Sequence, residues 1–119
     1  MGKVMINNTC GRDGIERASL AFVAAKTALN SGQEATVLLT IEGVNVATRG
    51  YADGYQADGF EPLSKLITDF VGSGGKLWVC GACAKPRHIT ETDLVEGAKI
   101  VGAATAIEAM VNGAQTLSF

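Results

Sequence analysis

The stretch EPLSKLITDFVGSGGKLWVCGAC, residues 61–83, carries a helix, a stop, a strand and a second turn in immediate succession. Pro62 stands in the first helical turn, where its missing N–H costs nothing. Leu63, Leu66, Ile67, Phe70 and Val71 then recur at the spacing of a single helical face. Gly72-Ser73-Gly74-Gly75 stops the helix, and Leu77 to Cys80 reads as a strand ending on a cysteine. Upstream, Thr36 to Ile41 is a continuous apolar run without polar alternation, as a strand covered on both faces requires.

The same alternation extends in both directions. Lys3 to Ile6 leans towards a first strand, which Asn7 to Gly11 breaks. Asp13 and Glu16 are spaced as a capping box, and Ile15, Ala18, Phe22, Ala25 and Leu29 mark a helix stopped at Ser31-Gly32. Downstream, Thr90 to Glu96 reads as a short helical turn with Thr90 and Asp93 as its capping pair. Ala98 to Val101 is a fourth strand, Ala103 to Val111 a third long helix, and Thr116 to Phe119 a fifth strand with nothing after it. This predicts an α/β fold: a flavodoxin-like three-layer sandwich in one domain over residues 1–119, with a five-stranded parallel sheet in the order 2-1-3-4-5. In that order the first and third strands are neighbours, so Cys10 and Cys80 meet at one crevice at the carboxyl edge. The long connection 42–59, with one helical turn around Gly43 to Thr48, is either a mobile surface loop or a cover over the cysteines.

Composition narrows the function classes. Of 119 residues, 47% are hydrophobic and 18% charged, and the net charge is −2, so the chain is globular and offers nothing to nucleic acid or an anionic membrane. The apolar run at Val4 to Ile6 is too short for a signal peptide, and no stretch approaches a membrane span, so a cytoplasmic protein is expected. Three cysteines in a reducing compartment favour chemistry or metal over a disulfide framework.

Cys80 and Cys83 form a CxxC pair with four readings: two small residues filling a turn, a nucleophilic sulfur, a dithiol switch, or half of a metal site. Gly81 and Ala82 leave the backbone uncrowded, Cys83 falls in a first helical turn, and Lys85, Arg87 and His88 add positive potential. CGAC is close to the CGPC of thioredoxins, but neither Pro62 nor Pro86 can face the cysteines as that fold needs. Cys10, Cys80, Cys83 and His88 are a formal Cys₃His set without a second knuckle, so no metal is expected. Residues 72–76, GSGGK, precede a strand instead of a helix and are no phosphate loop. NTCGRDG, residues 8–14, lacks a Ser/Thr run to grip a flavin phosphate, and aromatics are few. No cofactor is expected.

The whole chain resembles the DsrE/DsrF-like family of small sulfur-relay proteins, which includes TusD-type and YchN-type members. The resemblance rests on the strand-loop-helix opening, the EPL-opened helix at 61–63, the terminal TLSF at 116–119 and, most specifically, VCGACAKPRHI at 79–89. It implies a flavodoxin-like domain assembled as a homotrimer or a hexamer of stacked trimers. Cys80 falls where TusD-type members carry a persulfide; Cys83 and Arg87 match positions that YchN-type members keep; His88 stands where relatives have glycine. The implied function is an intracellular persulfide carrier or sulfurtransferase, taking sulfane sulfur from a donor protein at Cys80 and passing it to an acceptor. Cys83 would assist and Arg87 would stabilise anionic sulfur, with Cys10 and Asn8 lining the crevice from the first strand. A CxxC oxidoreductase or redox sensor, and a small-ligand binding module under the 42–59 loop, are the alternatives.

Overall fold

Each of the first four strands is followed by a crossover into a strand running the same way, so every pairing in the sheet is parallel. A computed structural model describes all residues 1–119. The strands are β1 (Lys3–Asn8), β2 (Glu34–Leu39), β3 (Lys76–Cys80), β4 (Ala98–Val101) and β5 (Ala114–Ser118). The helices are α1 (Ile15–Asn30), α2 (Leu63–Gly72), the single turn α3 (Gly81–Ala84) and α4 (Ala103–Val111). The parallel five-stranded α/β class is the one the alternation predicts.

The strand order is β4-β3-β2-β1-β5, which corrects the order 2-1-3-4-5. β2, the continuous apolar run, is the central strand and separates β1 from β3. The reason lies in the helices. Because β1→β2 and β2→β3 step the same way, right-handed crossovers put α1 and α2 on one face of the sheet. There the fully buried Ala18, Ala21 and Ala25 let α1 approach closely, and Phe22 meets Phe70 of α2 edge to face, ring centroids 5.8 Å apart. The alternative order would send those two apolar faces to opposite sides of the sheet. Only β4→β5 steps back across the sheet, so α4 covers the other face alone.

Local signals are met unevenly. The Thr90–Asp93 capping box forms, around a 3₁₀ turn at Glu91–Asp93. The Asp13–Glu16 box does not: the Asp13 carboxylate accepts the Gly11 N–H at 2.7 Å, and α1 starts later, after a 3₁₀ turn at Arg12–Gly14. The connection after β2 is not a loose surface loop. A 3₁₀ helix spans Ile41–Ala47, and Val44, Val46, Ala47 and Ala52 are buried in the core. Gly43 lies against the end of β1, where any Cβ would collide with the Asn8 carbonyl oxygen.

Candidate functional site

β3 passes into helix without a linker. Cys80 is both the last strand residue and the N-cap of α3, with φ −63° and ψ 118°. Cys83 stands three residues on, so the two side chains share one face of the turn. Both thiols are free and half-buried. Beyond α3 the chain tightens into a 3₁₀ turn at Lys85–Arg87, and the His88 N–H donates to the Lys85 carbonyl at 3.1 Å. His88 takes φ 59° and ψ 33°, the left-handed conformation that glycine adopts at no cost. The turn therefore keeps a glycine-like shape while carrying an imidazole, at the roughly 1–2 kcal/mol that such a backbone costs an L-residue. Gly81 has no left-handed backbone to accommodate, but an added Cβ there would press against the Val101 carbonyl oxygen at 3.3 Å, a tight approach to a backbone atom.

Arg87 is held by groups that its sequence position does not announce. Its Nε and Nη2 donate to one carboxylate oxygen of Glu42, at 3.1 and 2.8 Å, and its Nη1 donates to the Cys83 carbonyl at 3.1 Å. The other Glu42 oxygen accepts from Asn45 at 3.1 Å. The positive potential expected of this basic cluster is thus matched at Arg87 by a carboxylate, while Lys85 and His88 are exposed. α3 is a single turn of four residues, too short to build a macrodipole at Cys83. Glu42 is the residue that sequence reasoning missed here. It lies 45 positions from Arg87, and no local pattern links the two.

Cys10 lies at the same carboxyl edge, but β2 stands between its strand and that of Cys80. Two strand spacings, about 9–10 Å, separate the strands. Asn8 is fully buried and does not line a crevice. Its amide nitrogen donates to the Cys10 carbonyl at 2.9 Å and its oxygen accepts the Cys10 N–H at 3.1 Å, which shapes the turn. Next to it, Arg12 is clamped between Tyr51 and Tyr55, its guanidinium carbon 4.3 and 4.6 Å from the two ring centroids. The Arg12 backbone N–H also donates to the Tyr51 hydroxyl at 2.7 Å. At the end of β2, between the two cysteine-bearing strands, Ile41 holds φ 55°, a strained conformation for a β-branched residue. Nowhere do three His, Cys, Asp or Glu side chains gather as a metal would need, so Cys10, Cys80, Cys83 and His88 form no ligand set.

The protein resembles several uncharacterized archaeal proteins. It is 34% identical over 103 residues to MJ0760 of Methanocaldococcus jannaschii, covering 87% of this chain and 38% of that protein. It is 37% identical over 87 residues to MJ0989 of the same organism, covering 73% of each. MK0008 of Methanopyrus kandleri is 31% identical over 87 residues, covering 73% of this chain and 69% of that one. The chain thus spans less than two fifths of MJ0760. In three dimensions it matches the Escherichia coli YchN protein over the full length of both chains with a TM-score of 0.81 at 16% identity. It matches MTH1491 of Methanobacterium thermoautotrophicum, a protein of unknown function, equally completely at 0.79 and 17%. At such identities the shared property is the fold. The model of the DsrE/DsrF-like family matches residues 2–119, and the chain belongs to that family.

Proposed function

We propose that the protein is a persulfide carrier in an intracellular sulfur relay, with residues 1–119 acting as one DsrE-like domain and Cys80 as the nucleophile. Family membership supports a sulfur-relay role at the level of the family. The observation that carries the residue assignment is the half-exposed, unpaired thiol of Cys80 at the strand-to-helix junction on the carboxyl edge of the sheet, where α/β proteins keep their reactive groups.

The Cys80 thiolate attacks the terminal sulfur of a donor persulfide. A new S–S bond forms, the donor's S–S bond breaks, and the donor sulfur leaves as a thiolate with the electron pair. An acceptor thiolate then attacks the outer sulfur on Cys80, and the Cys80 thiolate is released. No electrons are gained or lost overall, and no cofactor takes part. Cys83 assists as a second thiol in the same turn: its thiolate can take the outer sulfur of the Cys80 persulfide, the Cys80 thiolate leaving, and hand that sulfur on. Arg87 holds the turn through the Cys83 carbonyl and acts on the sulfur only through that geometry. Cys10 and Asn8 fall outside this chemistry. The reaction belongs in a reducing compartment, the cytoplasm, with donor and acceptor proteins as partners and a homotrimer or hexamer as the working assembly.

The test is intact mass spectrometry and peptide mapping of the reduced protein after exposure to glutathione persulfide. A gain of about 32 Da on the Cys80 peptide, absent in Cys80→Ser and retained in Cys83→Ser, is expected. Loading that survives in Cys80→Ser sinks the assignment. A loss of two hydrogens on a Cys80–Cys83 peptide instead makes the pair a dithiol switch.

A further inference from the structure

We propose a second binding site, for a small organic cation with an apolar body, in the cleft between α2 and the segments 46–53 and 95–97. The cleft holds about 600 Å³, within the roughly 300–1,000 Å³ of small-molecule pockets. No cysteine lines it, so the inference stands apart from the sulfur chemistry.

Its floor is apolar. Val46, Ala52 and Ile67 close it from below, and Val71 and Val95 form its walls. Two of its hydroxyls are already engaged: Thr48 donates to the Asn45 carbonyl at 2.7 Å and Thr68 to the Ser64 carbonyl at 2.9 Å. The groups left free are the Ser64 hydroxyl and the carboxylates of Asp53 and Glu96, two exposed residues at the rim that take part in no hydrogen bond or ion pair, and no Lys, Arg or His lines the cleft to balance them. Of the ten other acidic side chains, Glu34, Glu42, Glu61 and Asp69 pair with basic residues and Asp13, Glu91 and Asp93 accept backbone N–H groups, while Glu16, Asp58 and Glu108 are equally free but do not line this cleft.

An apolar floor under two uncompensated carboxylates favours an ammonium group carried on a hydrocarbon or aromatic body, and repels anions. A metal ion is a poor occupant, since no third carboxylate, thiol or imidazole joins the pair. The cleft is preformed. The Val95 N–H donates to the Ala47 carbonyl at 2.8 Å and Thr48 bridges Leu94, which ties the two segments to each other. Gly97, at φ 89°, lies so close to Val71 that an added Cβ would collide with it.

The probe is 4-phenylbutylammonium, titrated into isotopically labelled full-length protein and followed by amide NMR. 4-Phenylbutanol and 4-phenylbutanoate are the neutral and anionic controls. Saturable shifts centred on Gly50, Asp53 and Gly97 are expected with the cation, with affinity about five-fold weaker for the alcohol and weaker still for the carboxylate. Asp53→Asn combined with Glu96→Gln should bring the cation down to the affinity of the alcohol. Thr68→Trp, which places an indole at the exposed mouth, should abolish binding while the melting curve stays in place. Absence of saturable binding, equal affinity for cation and alcohol, or shifts centred elsewhere would overturn the proposal.

Discussion

Asn8 is a polar side chain enclosed at the end of β1, and its two hydrogen bonds to Cys10 make it part of the scaffold. Asn8→Ala leaves the half-buried Cys10 N–H and carbonyl without their side-chain partner, which should cost about 1–2 kcal/mol in urea unfolding. Loading at Cys80 should stay within about two-fold of wild type, because no Asn8 hydrogen bond reaches the Cys80 turn. If loading collapsed while stability held, Asn8 would belong to the chemistry after all. Arg87 makes a related point. A basic residue near two thiols reads as an anion-stabilising group, yet three of its donors are engaged by Glu42 and the Cys83 carbonyl. His88 shows the reverse case, where the residue gives no hint of the backbone it adopts: its φ of 59° lies in the left-handed region that glycine favours.

Between elements, the meeting of α1 and α2 decides the topology. Their apolar stripes are readable from periodicity, but a stripe says only that a face is buried, not which partner buries it. The edge-to-face contact of Phe22 with Phe70 is the centre of that interface. Phe70→Ala opens a cavity beside a fully buried ring and should cost about 3–5 kcal/mol, read as a fall in the urea midpoint. A loss under about 1 kcal/mol would mean that the two helices are not packed as described. Capping behaves similarly. Thr90–Asp93 closes as its spacing predicts, whereas Asp13 finds the nearer Gly11 N–H and leaves its partner Glu16 unused.

At the scale of the molecule, the sheet is covered unequally. α1, α2 and the 41–47 segment bury one face, and α4 alone lies on the other with only Ala106 buried. Ile107, Met110 and Val111 of α4 and Leu117 of β5 are 57%, 45%, 79% and 50% exposed, an apolar surface that supports the proposed assembly. Ile107→Glu with Met110→Glu should lower the mass seen in sedimentation equilibrium to that of a monomer, with the far-ultraviolet circular dichroism unchanged. A wild-type protein that sediments as a monomer, or a variant that keeps the wild-type mass, would refute the assembly. No helix is long and apolar enough to cross a membrane.

The linear chain determined the elements, the parallel class of the sheet and the thiol at the end of β3. These depend on periodicities and stops that act within a few residues: the face from Leu63 to Val71, the glycines at 72, 74 and 75, and the unbroken run from Thr36. Only the tertiary structure decided that β2 separates Cys10 from Cys80, that Glu42 reaches Arg87, that Asn8 turns inward, and that two free carboxylates stand over an apolar cleft. Those features join residues tens of positions apart, through contacts that depend on which helix packs against which. Local patterns carry no signal for a partner so distant, because burial and charge pairing are settled only when the sheet orders its strands.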